Sequence, residues 1–106
     1  MKVAVVKEVR GMAGEHLSDV DFLRAMVACL GAKGAAVLIG HCVVWQVLGV
    51  MTYRDIERLE LGERSTWYRA RRDLRALREY LVTVGEDPGD VEAVELRVLR
   101  VGALAA

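Results

Sequence analysis

The sequence predicts a mainly α domain with a small antiparallel β-sheet, an α+β class. Three observations predict it. Apolar residues recur at spacings of three and four through residues 20–30 and 67–81, the period of helices packed by one face. Valine-rich stretches lie at both ends, residues 2–10 and 91–101, with the near alternation of half-buried strands. A run of turn formers, residues 85–90, precedes the second of these.

At 106 residues the chain reads as one domain, 1–106. Its formal net charge is zero, so any attraction to nucleic acid must come from the placement of charge. That placement is uneven. Residues 1–49 carry five basic and four acidic side chains, residues 50–78 eight and five, and residues 79–106 two and six. Apolar residues make up 54 %, above the usual ~45–50 %. The excess implies a buried face larger than a small monomer needs, and so a homodimer.

Cys29 and Cys42 are the only cysteines, and neither stands at metal-ligand spacing. Both lie in apolar runs and read as reduced core thiols of a cytoplasmic protein. No signal peptide is expected, because Lys7 and Glu8 break the short valine run after Lys2. Residues 35–51 are apolar, at the short edge of a membrane span. A buried core helix is the better reading, and no membrane is expected.

In chain order, residues 2–10 read as a strand, and Gly11 to Gly14 break it. Ser18 is a natural N-cap, with Asp19 and Asp21 at the positive end of the following helix. Val20, Leu23, Met26, Val27 and Leu30 form its stripe, and Gly31 stops it. A second helix spans residues 35–48. It is apolar nearly all round and so buried on several sides. A strand over residues 43–50 is the alternative there, and length favours the helix. After Gly49, Thr52 caps a short helix and Asp55 stands at the capping-box position. Leu61 and Gly62 make a turn, and Glu63 or Ser65 opens a long helix.

That long helix sorts into faces. Trp67, Ala70, Leu74, Leu77 and Leu81 make one apolar stripe. Ser65, Tyr68, Arg69, Arg72 and Arg75 point the other way, and Arg71 and Arg78 flank the stripe. Residues 82–84 and 91–101 then read as two strands of a hairpin with a tip at 85–90, which the first strand could join. The proposed tip carries Glu86, Asp87 and Asp90, acids that would repel phosphate. The hairpin is therefore expected to point away from DNA or to serve dimerisation. The last residues, 102–106, are expected to fray.

Residues 64–78 hold six arginines and one acid, Asp73. Guanidinium groups pair with phosphate and with guanine edges, and a single helix fits the major groove. Arg64, Ser65, Tyr68, Arg69 and Arg72 are the candidates for contact at or near the bases. Arg71, Arg75 and Arg78 are candidates for the flanking backbone. Arg54 and Arg58, on the short helix before, are candidates for phosphates. The competing reading is a solvated face paired with Glu57, Glu60, Asp73 and Glu79.

Thr52-Tyr53-Arg54-Asp55-Ile56 followed by Arg64-Ser65-Thr66-Trp67-Tyr68-Arg69 resembles the helix-turn-helix of small bacterial and phage transcription regulators. In that family a Gly-hydrophobic turn precedes the recognition helix, whereas here Leu61 precedes Gly62. The resemblance implies a winged-helix-like layout. It also implies that Arg64, Ser65, Thr66, Tyr68 and Arg69 lie at the DNA-facing start of the helix. The function expected is sequence-specific binding of double-stranded DNA by a homodimer, in a repressor-like transcriptional role.

The alternative is a protein-interaction module whose arginine-rich helix binds an acidic protein partner. An enzyme is not expected. His16 and His41 are isolated from one another and from any acid or cysteine at ligand spacing. No nucleophile–base pattern is assembled by local sequence either, so no catalytic residue, metal or cofactor is assigned.

Overall fold

The computed structural model describes residues 17–104, and all regular structure in them is helical. The order is α1 (Asp19–Leu48), α2 (Tyr53–Arg58), α3 (Arg64–Thr83) and α4 (Val91–Leu104). Helix α1 packs on both α3 and α4, α2 packs on α3, and α3 packs on α4.

Helix α1 starts where its cap dictates, with Ser18 Oγ accepting from the Asp21 N–H at 3.1 Å. It is two arms rather than one rod. Gly31 has φ 81° and ψ 162°, outside the helical region, and joins residues 19–30 to residues 32–48. Glycine adopts this conformation without the Cβ clash that bars other residues. Phe22 and Met26 of the first arm, and Ala35, Leu38, Cys42 and Trp45 of the second, all turn into one core. The two arms thus wrap the same pair of helices.

The far side of that core comes from Ile56, from Ala70, Leu74, Leu77 and Leu81 of α3, and from Val94, Val98 and Val101 of α4. The first arm is also pinned to α4 by charge. Asp19 accepts from Arg100 at 2.8 and 2.9 Å, and Arg97 donates to the Leu17 carbonyl at 2.7 Å. The Arg97 guanidinium lies 4.7 Å above the Phe22 ring, within cation–π range. Its hydrogen bond to Arg100, ahead of the nearby positive charges, holds the Asp19 carboxyl below its ordinary value.

The α+β expectation, with its winged-helix-like sheet, is overturned. Residues 82 and 83 continue α3, and residues 91–101 lie within α4. The buried positions of α4 are Val94, Val98 and Val101, at spacings of four and three, while Leu96 is exposed. Val94, Leu96 and Val98 fit an alternating strand, whereas Val94, Val98 and Val101 share one face of a helix. Burial of Val101 and exposure of Leu96 decide for the helix.

The supposed hairpin tip is a helix start. Asp90 Oδ1 accepts from the Ala93 N–H at 2.9 Å, and Glu92 sits in the first turn of α4, where acids suit the helix dipole. Glu86, Asp87 and Asp90 belong to the connection between α3 and α4 and do not line a wing. Gly102 to Leu104, expected to fray, are helical. The strand expected over residues 2–10 lies outside the described residues.

Candidate nucleic-acid interface

The arginine-rich surface is built on α2, the turn after it and α3. Asp55 ties the start of α2 by accepting from the N–H groups of Met51 (2.8 Å) and Thr52 (3.1 Å). These two bonds, with Arg58 beside them, hold its carboxyl below the ordinary range. Arg58 donates to the other Asp55 oxygen at 3.2 Å.

The turn settles the order of Leu61 and Gly62. The Glu60 N–H reaches the Glu57 carbonyl and the Leu61 N–H reaches the Ile56 carbonyl. This is the pair of bonds that closes a helix through a left-handed residue. That residue is Glu60, with φ 55°. Glycines hold the equivalent place after the other two helices so closed, Gly49 after α1 and Gly85 after α3. Gly62, at φ 137°, bends the chain a second time before Glu63 caps α3.

Helix α3 presents its faces as its periodicity predicts. Ala70, Leu74, Leu77 and Leu81 are buried, Trp67 is half-buried, and Ser65, Tyr68, Arg69, Arg72 and Arg75 face outward. The Trp67 ring is tilted against buried Trp45 at 5.3 Å, and Trp45 stacks on His41 at 5.0 Å. His41 is therefore accounted for by packing.

The eight candidate arginines fall into three groups. Arg71 and Arg78 are used within the fold. Arg71 is only 19 % exposed and bonds Glu95 at 3.0 Å and Glu92 at 3.3 Å, while its guanidinium covers Trp67. Arg78 Nε donates to the Gly89 carbonyl at 2.7 Å. Arg71 fastens α3 to α4 and Arg78 fastens it to the connection before α4, instead of joining the outer face.

Arg54, Arg58 and Arg64 have local partners but stay exposed. Arg64 meets Glu57 at 3.5 Å and lies 4.9 Å over the Tyr53 ring, which Arg54 approaches from 5.9 Å. Arg69, Arg72 and Arg75 are the free group. Arg72 touches only neighbouring Asp73, at 3.4 Å, and no ion pair involves Arg69 or Arg75 among the described residues. Ser65 is exposed and meets Glu63 at 3.4 Å, and Thr66 is half-buried beside the turn.

Tyr53 is the residue that sequence reasoning did not single out. Its ring lies 5.6 Å from that of Tyr68, so α2 and α3 share an aromatic pair ringed by Arg54 and Arg64. The two tyrosines are fifteen positions apart in sequence, and no local pattern announces the contact.

The cysteines form no disulfide. Burial pushes the Cys42 thiol up to about 12, and burial also raises that of half-buried Cys29.

Comparison with protein-family models, with curated proteins and with solved structures yields no match.

Proposed function

We propose that the α2–turn–α3 unit binds double-stranded DNA through the outward face of α3, in a regulatory role. The observation that carries this reading is the row of Arg69, Arg72 and Arg75. These guanidiniums stand on one exposed side of one helix, and among the described residues their one ion pair is the weak contact of Arg72 with Asp73. A solvated structural face normally pairs its cations at i±3 and i±4, and this row does not.

The start of the same helix adds support. Its first turn contains no acid, and the one carboxylate at its start is the N-cap Glu63, which Ser65 meets at 3.4 Å. Arg64, Ser65 and Tyr68 surround that end. In the proposed complex Arg64, Ser65, Tyr68, Arg69 and Arg72 meet the groove, Arg75 meets backbone phosphate, and Arg54 and Arg58 of α2 meet the phosphates beside it. Arg71 and Arg78 stay within the fold.

The test is fluorescence anisotropy with random-sequence duplex DNA over a range of salt. Neutralising three or four phosphates per protomer predicts a log–log slope of about −3 to −4. Absence of binding at low salt would remove DNA as the partner and favour an acidic protein in its place. Selection from random duplexes then tests specificity, with a palindrome expected for a dimer reading two half-sites.

A further inference from the structure

The most apolar of the described helices is largely uncovered. Helix α1 is the one described helix long and apolar enough to cross a membrane, yet only 17 % of its most apolar window is buried. A core helix of that composition would be mostly buried. Most of the exposed part of its second arm forms one apolar stripe, Ala36, Val37, Gly40, Val44, Val47 and Leu48, with Gln46 exposed to one side of it. All six lie opposite buried Ala35, Leu38, Cys42 and Trp45. Val47 alone is 77 % exposed. Together these side chains offer roughly several hundred Å² of apolar surface, the scale of the ~800 Å² that each partner gives to a standard interface.

We infer that this stripe is an isologous interface at which α1 packs antiparallel on α1 of a second copy of the chain. Three features select that occupant. Val37, Gly40, Val44 and Val47 are spaced three, four and three, the seam spacing of helix on helix. The chain carries no Asp, Glu, Lys or Arg from Gly34 to Tyr53, so a face meeting itself across a two-fold axis brings no like charges together.

The third feature is Lys33, the charge at the start of the stripe. The last turn of α1 contains no basic residue to match its negative dipole end. Antiparallel packing sets Lys33 of each copy beside that end of the other. Gly40 lies midway between Lys33 and Leu48 and so falls at the crossing point. A Cβ there meets nothing within 4 Å among the described residues, so no packing among them requires glycine. A close helix crossing does.

A bilayer fits less well. The opposite side of the same arm adjoins Arg71, Glu92 and Glu95 through Gln46 and Trp67, and insertion would carry those charges towards hydrocarbon.

The experiment is sedimentation equilibrium of the full chain without nucleic acid, from micromolar to near-millimolar concentration. The expected mass is twice 11.7 kDa. Val37→Lys with Val44→Lys is expected to weaken association at least tenfold. Both sites are exposed, so unchanged helical circular dichroism confirms that folding is intact.

Orientation is read by oxidation in a Cys29→Ala background. Gly40→Cys should cross-link between copies, and Val47→Cys should not, because antiparallel packing separates the two copies of position 47. Cross-linking through Val47→Cys overturns the antiparallel arrangement. A wild-type chain that stays monomeric overturns the interface, as does association unaffected by the double lysine variant. Binding to phosphatidylcholine vesicles in place of self-association assigns the stripe to lipid and also overturns it. The mass is measured without DNA, so loss of the DNA-binding reading leaves this result standing, and the reverse holds too.

Discussion

Arg71 donates to Glu95 across the α3–α4 contact at 3.0 Å while its guanidinium covers the Trp67 ring at 5.5 Å. The pair fixes how α4 lies on α3, because Glu92, one turn before Glu95, also reaches Arg71. Arg71→Ala removes a partly buried, charge-assisted contact and leaves Glu95 without it. The expected cost is about 1–3 kcal/mol of stability, read as a lower urea midpoint with unchanged m. The slope of DNA affinity against salt should not change. A stable Arg71→Ala protein with a reduced slope would place Arg71 on the DNA.

Arg69→Ala and Arg72→Ala should behave in the opposite way. Among the described residues Arg69 has no ion pair, and Arg72 has only the weak contact to Asp73. Surface changes of this kind alter stability by about 0.5 kcal/mol or less. In binding, each is expected to cost about 1–3 kcal/mol on the selected sequence if it reads a base, or to reduce the salt slope by about one if it meets phosphate. Titrations of both variants at two salt concentrations separate the cases. Wild-type affinity in both variants would remove the face from the interface.

Much of this arrangement was legible in the sequence, and the failures have local causes. Ser18, Gly31, Thr52 with Asp55, and the stripe from Trp67 to Leu81 carry their structural meaning within a few residues. Position in sequence therefore sufficed for them. Residues 91–101 misled because valine spacing there satisfies both periods, and because Pro88-Gly89-Asp90 can end a hairpin or begin a helix. The second arm of α1 was expected to be buried on several sides, yet half of it is uncovered. Composition reports that a face is apolar and not what lies against it. The fates of Arg71 and Arg78 were hidden for another reason. Their partners are 11 to 24 residues away and meet them only once α4 folds back on α3.

Acid should unfold the chain by a route that Asp19 exposes. The carboxyls of Asp19 and Asp55 are both held below their ordinary value of 3.8. A carboxyl with a depressed folded value contributes stability that is present above its unfolded value. That stability is lost as pH falls through the folded one. The melting temperature should therefore be insensitive to these groups near neutrality and fall at and below the ordinary carboxyl value. Asp19→Asn should lower the neutral-pH melting temperature and flatten the acid decline. A decline of unchanged steepness in Asp19→Asn would show that the Arg100 contact is not the linked group.

The turn between α2 and α3 offers a change that should stabilise the fold. Glu60 adopts φ 55°, a left-handed conformation that costs a side chain with a Cβ about 1–2 kcal/mol. Glu60→Gly removes that cost and returns about 0.5–1 kcal/mol through the greater freedom of glycine in the unfolded chain. The net gain is about 0.5–1 kcal/mol, or up to about 4–8 °C in melting temperature for a domain of this size. Gly49 supplies the control, since it closes α1 by the same bonds at φ 73° and a Cβ there meets nothing within 4 Å. Gly49→Ala should lose about 1 kcal/mol from backbone conformation alone, with no steric contribution. Opposite shifts in the two variants are expected by differential scanning calorimetry. A destabilised Glu60→Gly protein would mean that the Glu60 side chain contributes more than its backbone conformation costs.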